Sequence, residues 1–210
     1  MTEKRQDTRD EALKLERDNN RLRHEILALR QFIDSMQNLV DALERPKQEF
    51  EIMELLSQVL KNALETINAK DGSLLVLDED TRELVFVVTH GDLPADDLVW
   101  RRLPPGAGIG GWVVENQKSV IVNDVQSDER FYPSIDEEFG FKTRSMLAAP
   151  VIGGGQVLGV IEVLNKHDSR LFNHDDQTLL TLMCRFSGEL LTSVIQQNES
   201  SLKQTTKPKE

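Results

Sequence analysis

Glu162 is the residue of this chain whose setting most asks for chemistry. It sits inside the run VLGVIEVL at 157–164, apolar and largely β-branched on both faces. That is the pattern of a strand covered on both sides. A carboxylate buried there without a partner costs several kcal/mol. Two readings stay open at this point. Either the position is exposed or ion-paired for structural reasons, or Glu162 contacts a ligand in a pocket. The other reactive residue types form no set. His24, His90, His167 and His174 are scattered and match no metal-ligand spacing. Cys184 is the single cysteine, which excludes an intrachain disulfide and a cysteine zinc cluster. Its place in the middle of an apolar helical stretch makes it a core residue. The glycines of GAGIGG at 106–111 lack the Lys-Ser/Thr ending of a phosphate-binding loop and read as a turn entering a short helix. With no nucleophile and base in view, the chain is not expected to be an enzyme, and neither a metal nor a resident cofactor is implied.

The elements around Glu162 follow from periodicity and turn chemistry. Residues 146–152 form an apolar strand, and Gly153, Gly154 and Gly155 supply the positive φ angles of a tight hairpin into the 157–164 strand. Upstream, a helix is expected over 48–68, ended by Asp71-Gly72. A hairpin follows, with strands at 73–77 and 83–89, and then strands at 99–103 and 120–122 around a helix at 112–116. The segment 127–141 carries five acids with Phe131, Tyr132, Phe139 and Phe141, and is the candidate lid. Asn173 is a suitable N-cap for a closing helix that runs to about residue 197, with Asp175 and Asp176 at its positive end. The fold class is therefore α+β.

A heptad pattern precedes all of this. Ala12, Asn19, Ile26, Ile33 and Val40 occupy a positions, and Leu15, Leu22, Leu29, Met36 and Leu43 occupy d positions. β-Branched residues at a with Leu at d favour a parallel two-stranded coiled coil, and an Asn at one a position fixes its register. Asp18 opposite Arg23 and Glu25 opposite Arg30 agree with that pairing, while Glu11 against Glu16 opposes it. Pro46 ends the helix. The expected organisation is a disordered 1–11, a dimerising helix over 12–45, a folded domain over 46–198 and a disordered tail over 199–210.

The chain has 210 residues, 39% hydrophobic and 29% charged, with a formal net charge of -11. So acidic a chain is a poor partner for nucleic acid. No apolar run reaches membrane-spanning length, and the polar start MTEKRQDTRDE is not a signal peptide. The expectation is a cytoplasmic protein without a membrane partner.

Three stretches carry a family likeness: GIGGWVVENQKSVIVND at 108–124, FGFKTRSMLAAPV at 139–151 and LGVIEVLNK at 158–166. The domain resembles a GAF domain, the small-molecule-binding module of many signalling proteins, and is most similar to the nucleotide-binding GAF domains of cyclic-nucleotide phosphodiesterases. The resemblance implies a central antiparallel sheet with helices packed on one face and a ligand pocket on the other, under the lid. The phosphodiesterase type carries an Asn-Lys…Phe…Asp-Glu motif. Asn165, Lys166, Phe172 and Asp176 match it, and Gln177 stands in place of the Glu. In the family the Lys and Asp form a structural salt bridge between the last strand and the closing helix, a role the resemblance gives to Lys166 and Asp176. It also implies ligand contacts at Ser73, Ile109, Gly110, Asp136, Thr143 and Glu162. Thr89 stands where the family stacks an aromatic ring on the base, His90 where it has an acid, and Phe139 where it has a second lid threonine. His90 or Phe139 would have to supply the missing ring. Cysteine-dependent activities of some GAF domains, sulfoxide reduction and pigment attachment, lack their cysteines here.

The reading is thus a homodimeric, non-catalytic sensor. It takes a small molecule, cyclic AMP or cyclic GMP among the candidates, and passes its state through the dimeric helices to a signalling partner in trans. The rival expectation is an unliganded dimerisation scaffold that acts through protein contacts. The dimer contacts would be Asn19, Leu22, Ile26, Leu29, Ile33, Met36, Val40 and Leu43.

Overall fold

The computed structural model describes residues 50–205 apart from Asp168 and Ser169, together with scattered positions between 11 and 37. Among the latter, Asn19, Leu22, Ile26 and Ile33 are helical; Leu29, Met36, Val40 and Leu43 lie outside the described residues, as do 1–10 and 206–210 of the expected disordered ends 1–11 and 199–210. No helix among the described residues is long and apolar enough to cross a membrane.

Helix α1 (Phe50–Ile67) leads into strand β1 (Ala69–Leu77), which forms a hairpin with β2 (Leu84–His90). A short helix α2 (Ala95–Leu98) and strand β3 (Arg102–Leu103) follow, then α3 (Gly108–Asn116) and β4 (Val120–Val122). A 3-10 turn (Val125–Ser127) leads into the lid segment, which holds helix α4 (Ser134–Phe139). Strands β5 (Met146–Gly153) and β6 (Gln156–Lys166) form the second hairpin, and α5 (His174–Thr205) closes the fold. The strands make one antiparallel six-stranded sheet in the order β3-β2-β1-β6-β5-β4. The long helices α1 and α5 cover one face. Leu56, Leu60, Ala63 and Leu64 of α1, with Leu180, Met183 and Cys184 of α5, pack there against Leu74, Leu147, Ile161 and Val163. The opposite face carries α2, α3 and the lid over Leu75, Phe86, Ala148, Val160 and Leu164. Strict alternation along β6 therefore sends Ile161 and Val163 to the helices and Glu162 to the other side.

The turns are built as their residues require. Gly154 and Gly155 both have positive φ, 56° and 78°, and make the two-residue β5–β6 turn. Pro150 is tolerated in β5 because β4 pairs only as far as Ala148, so no neighbour on that side asks for its missing N–H. Several boundaries depart from the sequence expectation. Helix α1 ends at Ile67, just before Asn68, which is left-handed at φ 56°, and Asp71-Gly72 lies within β1 instead of ending the helix. The glycines at 108, 110 and 111 belong to α3 itself: a Cβ at Gly111 would lie 2.3 Å from the Gly106 carbonyl carbon, so close backbone packing selects glycine there despite its low helix propensity. Helix α5 continues to Thr205, past its expected end and into the stretch expected to be disordered, since 198–205 contains no helix breaker. The 95–98 stretch forms a turn of helix, and β3 is confined to two residues.

Candidate functional site

Antiparallel register places four residues in one row across the cavity face. Ser73 pairs with Thr89 on one side and Glu162 on the other, and Glu162 pairs with Ala148. The Ser73 hydroxyl donates to Glu162 Oε2 at 3.0 Å. Glu162 is 7% exposed, and this is its side chain's one hydrogen bond among the described residues. Burial pushes its carboxyl up from 4.5 to about 7, and the Ser73 bond opposes the shift only in part. The carboxylate rests against the first turn of α3. A Cβ on Gly110 would lie 2.8 Å from Glu162 Oε1, so glycine is what lets the helix come this close.

Glu162 and Ser73 open into a cavity of about 50 Å³. Its floor comes from β1, β2, β5 and β6 through Phe86, Met146 and Leu164, one side from Leu93, Leu98 and Leu103, and the roof from Phe131, Tyr132, Ile135 and Phe141 of the lid. Ile109 and Gly110 of α3 line it, and Asp136 and Thr143 stand at its lid end. There the Asp136 carboxylate accepts the Thr143 N–H at 2.8 Å and the Thr143 hydroxyl at 2.7 Å, tying α4 to the segment before β5. Outside the cavity, Arg101 pairs with Glu138 and lies 5.9 Å from the Phe139 ring centroid. Arg130, paired with Asp128, stacks 4.7 Å from the Trp112 ring centroid. The lid thus covers the cavity, and its rings line the roof.

Of the nine residues expected to meet a ligand, Ser73, Ile109, Gly110, Asp136, Thr143 and Glu162 line this one cavity. The other three do not. His90 lies on the helix face, where its Nε2 is 3.3 Å from Ser57 Oγ of α1. A β-bulge is the reason. Leu74 pairs with Val88 and Leu75 with Phe86, so Val87 is an extra residue that reverses the alternation beyond it. His90 is thereby turned away and cannot stand in for a stacking ring. Thr89 is turned to the cavity face beside Ser73 but outside the cavity lining, 9% exposed, with no partner for its hydroxyl among the described residues. Phe139 packs against the cavity-face core beside Arg101 but does not line the cavity. Phe86, Leu93 and Leu98 were not singled out by sequence; the alternation of LVFVVTH offered Phe86, but the bulge hid its parity.

A second set of residues frames the cavity from behind. Asn165, left-handed at φ 49°, accepts the Arg144 N–H at 2.9 Å through Oδ1 and donates to the Lys142 carbonyl at 3.1 Å. Lys166 Nζ lies 2.6 Å from Asp176 Oδ2, with both side chains 11% exposed. Asp176 also accepts the Asn173 N–H while Asn173 Oδ1 accepts from Asp176 N, a reciprocal cap at the start of α5. Asn123 holds both backbone groups of the buried Phe172. The Asn165 bonds lock the 142–145 segment, and so Thr143, to β6, and the Lys166–Asp176 pair ties β6 to α5.

A family model for the GAF domain matches residues 51–191. The chain belongs to the GAF domain family. Among curated proteins, the GAF region is 37% identical over 89 residues to the dual 3',5'-cyclic-AMP and -GMP phosphodiesterase 11A of Takifugu rubripes, covering 41% of this chain and 10% of that protein. The chain spans between a tenth and a fifth of the length of the phosphodiesterases it matches. Among solved structures, the GAF domain of a phosphoenolpyruvate-protein phosphotransferase from Coxiella burnetii aligns with a TM-score of 0.67 at 17% identity, over 82% of this chain and 98% of that one. A free methionine-R-sulfoxide reductase from Neisseria meningitidis aligns with a TM-score of 0.61 at 17% identity, over 79% and 90%. At these identities the structures share the fold and nothing finer. In this GAF domain Cys184 sits in the helix-face core, fully buried, with its Sγ 3.8 Å from the Ala149 carbonyl and its thiol pushed upward by burial. It is on the opposite side of the sheet from the cavity.

Proposed function

We propose that this GAF domain is a regulatory module that binds a small molecule between the sheet and the 127–141 lid and passes the change to a dimeric helical interface. One observation carries the reading: Glu162 is held in a closed cavity by a single neutral hydrogen bond, at a cost that burial makes plain. A group held at such cost in a cavity is where a binding site is expected. The likeness to cyclic-nucleotide phosphodiesterases makes cyclic AMP and cyclic GMP the first candidates. In this reading Ser73 and Glu162 meet the N–H edge of the ligand. Asp136 and Thr143 exchange their mutual bonds for ligand bonds as the lid opens and recloses. The ligand acts only to the extent that it binds one lid state more tightly than the other.

The dimeric part of the proposal rests on the heptad stretch. Leu15, Leu22, Ile26 and Ile33 are at least half exposed on the single chain, an apolar seam that a second helix would cover. Output then passes in trans to a signalling protein of the cytoplasm. A second reading, a scaffold whose function is dimerisation, is favoured by the size of the cavity. At about 50 Å³ it is well below the roughly 300 Å³ and more of an open ligand site. Thermal unfolding with cyclic AMP, cyclic GMP and a metabolite panel separates the two. A ligand that binds only the folded state raises the Tm by mass action. A rise that disappears in Glu162→Gln supports the sensor; no rise with any compound, in a stable dimer, leaves the scaffold.

A further inference from the structure

We infer that the cavity takes the nitrogen-donor end of its ligand, an amine or an amino-heteroaromatic base, neutral or cationic, and gives no counter-charge to an anionic group. This rests on the reading above that the cavity binds a ligand, and narrows it to a chemical class.

The lining decides the matter by what faces inward. Its charged residues are two carboxylates, Glu162 and Asp136; among the described residues it includes no lysine, arginine or histidine. The nearby guanidinium groups are engaged outside it, Arg101 with Glu138 and Arg130 with Asp128. Phe86, Phe131, Tyr132 and Phe141 supply ring faces and edges around the two acids. Rings beside a carboxylate suit a flat base or an ammonium group, because the ring quadrupole attracts cations and N–H edges alike. The positive end of α3 is the one feature that would draw an anion. It is already faced by an acid. Glu162 lies against Gly110 in the first turn, so an anion placed there meets the carboxylate at close range. An N–H donor or a cation placed at the same point satisfies it.

The two signs of ligand have opposite proton linkage. A donor or cation favours ionised Glu162 and binds more tightly as pH rises through about 7. An anion favours neutral Glu162 and binds more tightly as pH falls. The other titratable groups facing the cavity are Tyr132 and Asp136 of the lid; Ser73 of β1, Gly110 of α3 and Ala148 of β5 bring no charge against Glu162.

The test is calorimetric titration of the full chain at about pH 6 and about pH 8. The probes are guanosine, adenosine, their 3',5'-cyclic monophosphates and phenethylamine. The expected result is binding by a nucleoside or the amine, tighter at the higher pH, with each cyclic nucleotide no tighter than its nucleoside. In Glu162→Gln, affinity falls about tenfold or more and the pH dependence flattens. Melting curves of that variant show whether it is folded, and Ser73→Ala, which removes the other member of the pair without adding charge, gives a second variant. A cyclic nucleotide that beats its nucleoside by more than about tenfold, tighter at the lower pH, overturns this inference and leaves the sensor reading intact. Absence of binding by every probe to a folded protein counts against both.

Discussion

Replacing Glu162 with Gln should make the protein more stable at neutral pH, and the size of the gain can be worked from the site. The carboxyl titrates near 4.5 when exposed and near 7 in the closed cavity, displaced mainly by desolvation. Below the lower value it is neutral in both the folded and the unfolded chain, and its ionisation costs the fold nothing. Between the two values the unfolded chain releases the proton while the folded chain keeps it. Each pH unit then lowers stability by about 1.4 kcal/mol. Above the upper value both are ionised and the loss is constant at about 3 kcal/mol. Gln occupies the same space, its carbonyl still accepts the Ser73 hydroxyl, and it has no proton to lose. Denaturant unfolding of both proteins at one fixed concentration, from about pH 5 to about pH 8, should therefore give curves that diverge as pH rises. The variant ends about 3 kcal/mol ahead, or about 6–12 °C in Tm for a chain of this size. Other carboxylates contribute equally to both curves and cancel. A difference that stays constant across this window would mean that Glu162 is ionised in the fold, and the account of the cavity would fail.

Gly110→Ala should block the site from the α3 side. Its Cβ would meet Glu162 Oε1 at 2.8 Å and Leu84 Cδ1 at 3.2 Å, so stability falls by about 1–3 kcal/mol and any stabilisation by ligand is lost in thermal-shift assays. Asp136→Ala removes both bonds to Thr143; amide hydrogen exchange over 127–141 should speed up while α1 and β6 keep their protection, and stability falls by about 1–2 kcal/mol at this half-exposed site. Lys166→Met breaks the pair with Asp176 and should cost about 2–4 kcal/mol in denaturant unfolding, since it leaves a nearly buried carboxylate with its backbone partner alone. Ile26→Asp combined with Ile33→Asp should give monomers by light scattering; dimers that persist would move the interface to the folded domain.

How much of this was legible in the sequence depends on how local each cause is. The second hairpin was readable because VLGVIEVL and three glycines carry their own instructions. Glu162 was noticed because a charge stands inside an apolar run, and its parity was safe because β6 has no irregularity near it. Its partner was invisible to any local reading, since Ser73 lies 89 residues away and meets it only through the β1–β6 register. The face of His90 is illegible for a related reason. One extra residue, Val87, reverses the faces beyond it, and nothing in LVFVVTH announces a bulge. The α3 glycines read locally as a turn because propensity speaks against them in a helix. What selects them is contact with Glu162 and with the Gly106 backbone, which exists only in the folded chain.

The cavity and the long helices lie on opposite faces of one sheet, so any signal between them has to cross it, and the structure makes that crossing short. A Cβ on Gly72 would lie 2.7 Å from the Glu162 carbonyl oxygen, 2.9 Å from Leu64 Cδ2 and 3.3 Å from Leu60 Cδ1. Leu60 is fully buried and Leu64 nearly so. The backbone of the cavity-facing Glu162 is thus separated from the buried face of α1 by one glycine, with no room to absorb movement. Close-packed interiors respond by shifting whole elements. A displacement of Glu162 on β6 must then be met by α1, the helix that follows the heptad stretch in sequence. Gly72→Ala tests this coupling directly. It should destabilise the fold by overpacking, as Gly110→Ala does, but from the helix side. It should also change the oligomeric equilibrium measured by light scattering, which Gly110→Ala leaves alone without ligand. Equal effects of the two substitutions on that equilibrium would remove Gly72 from the path.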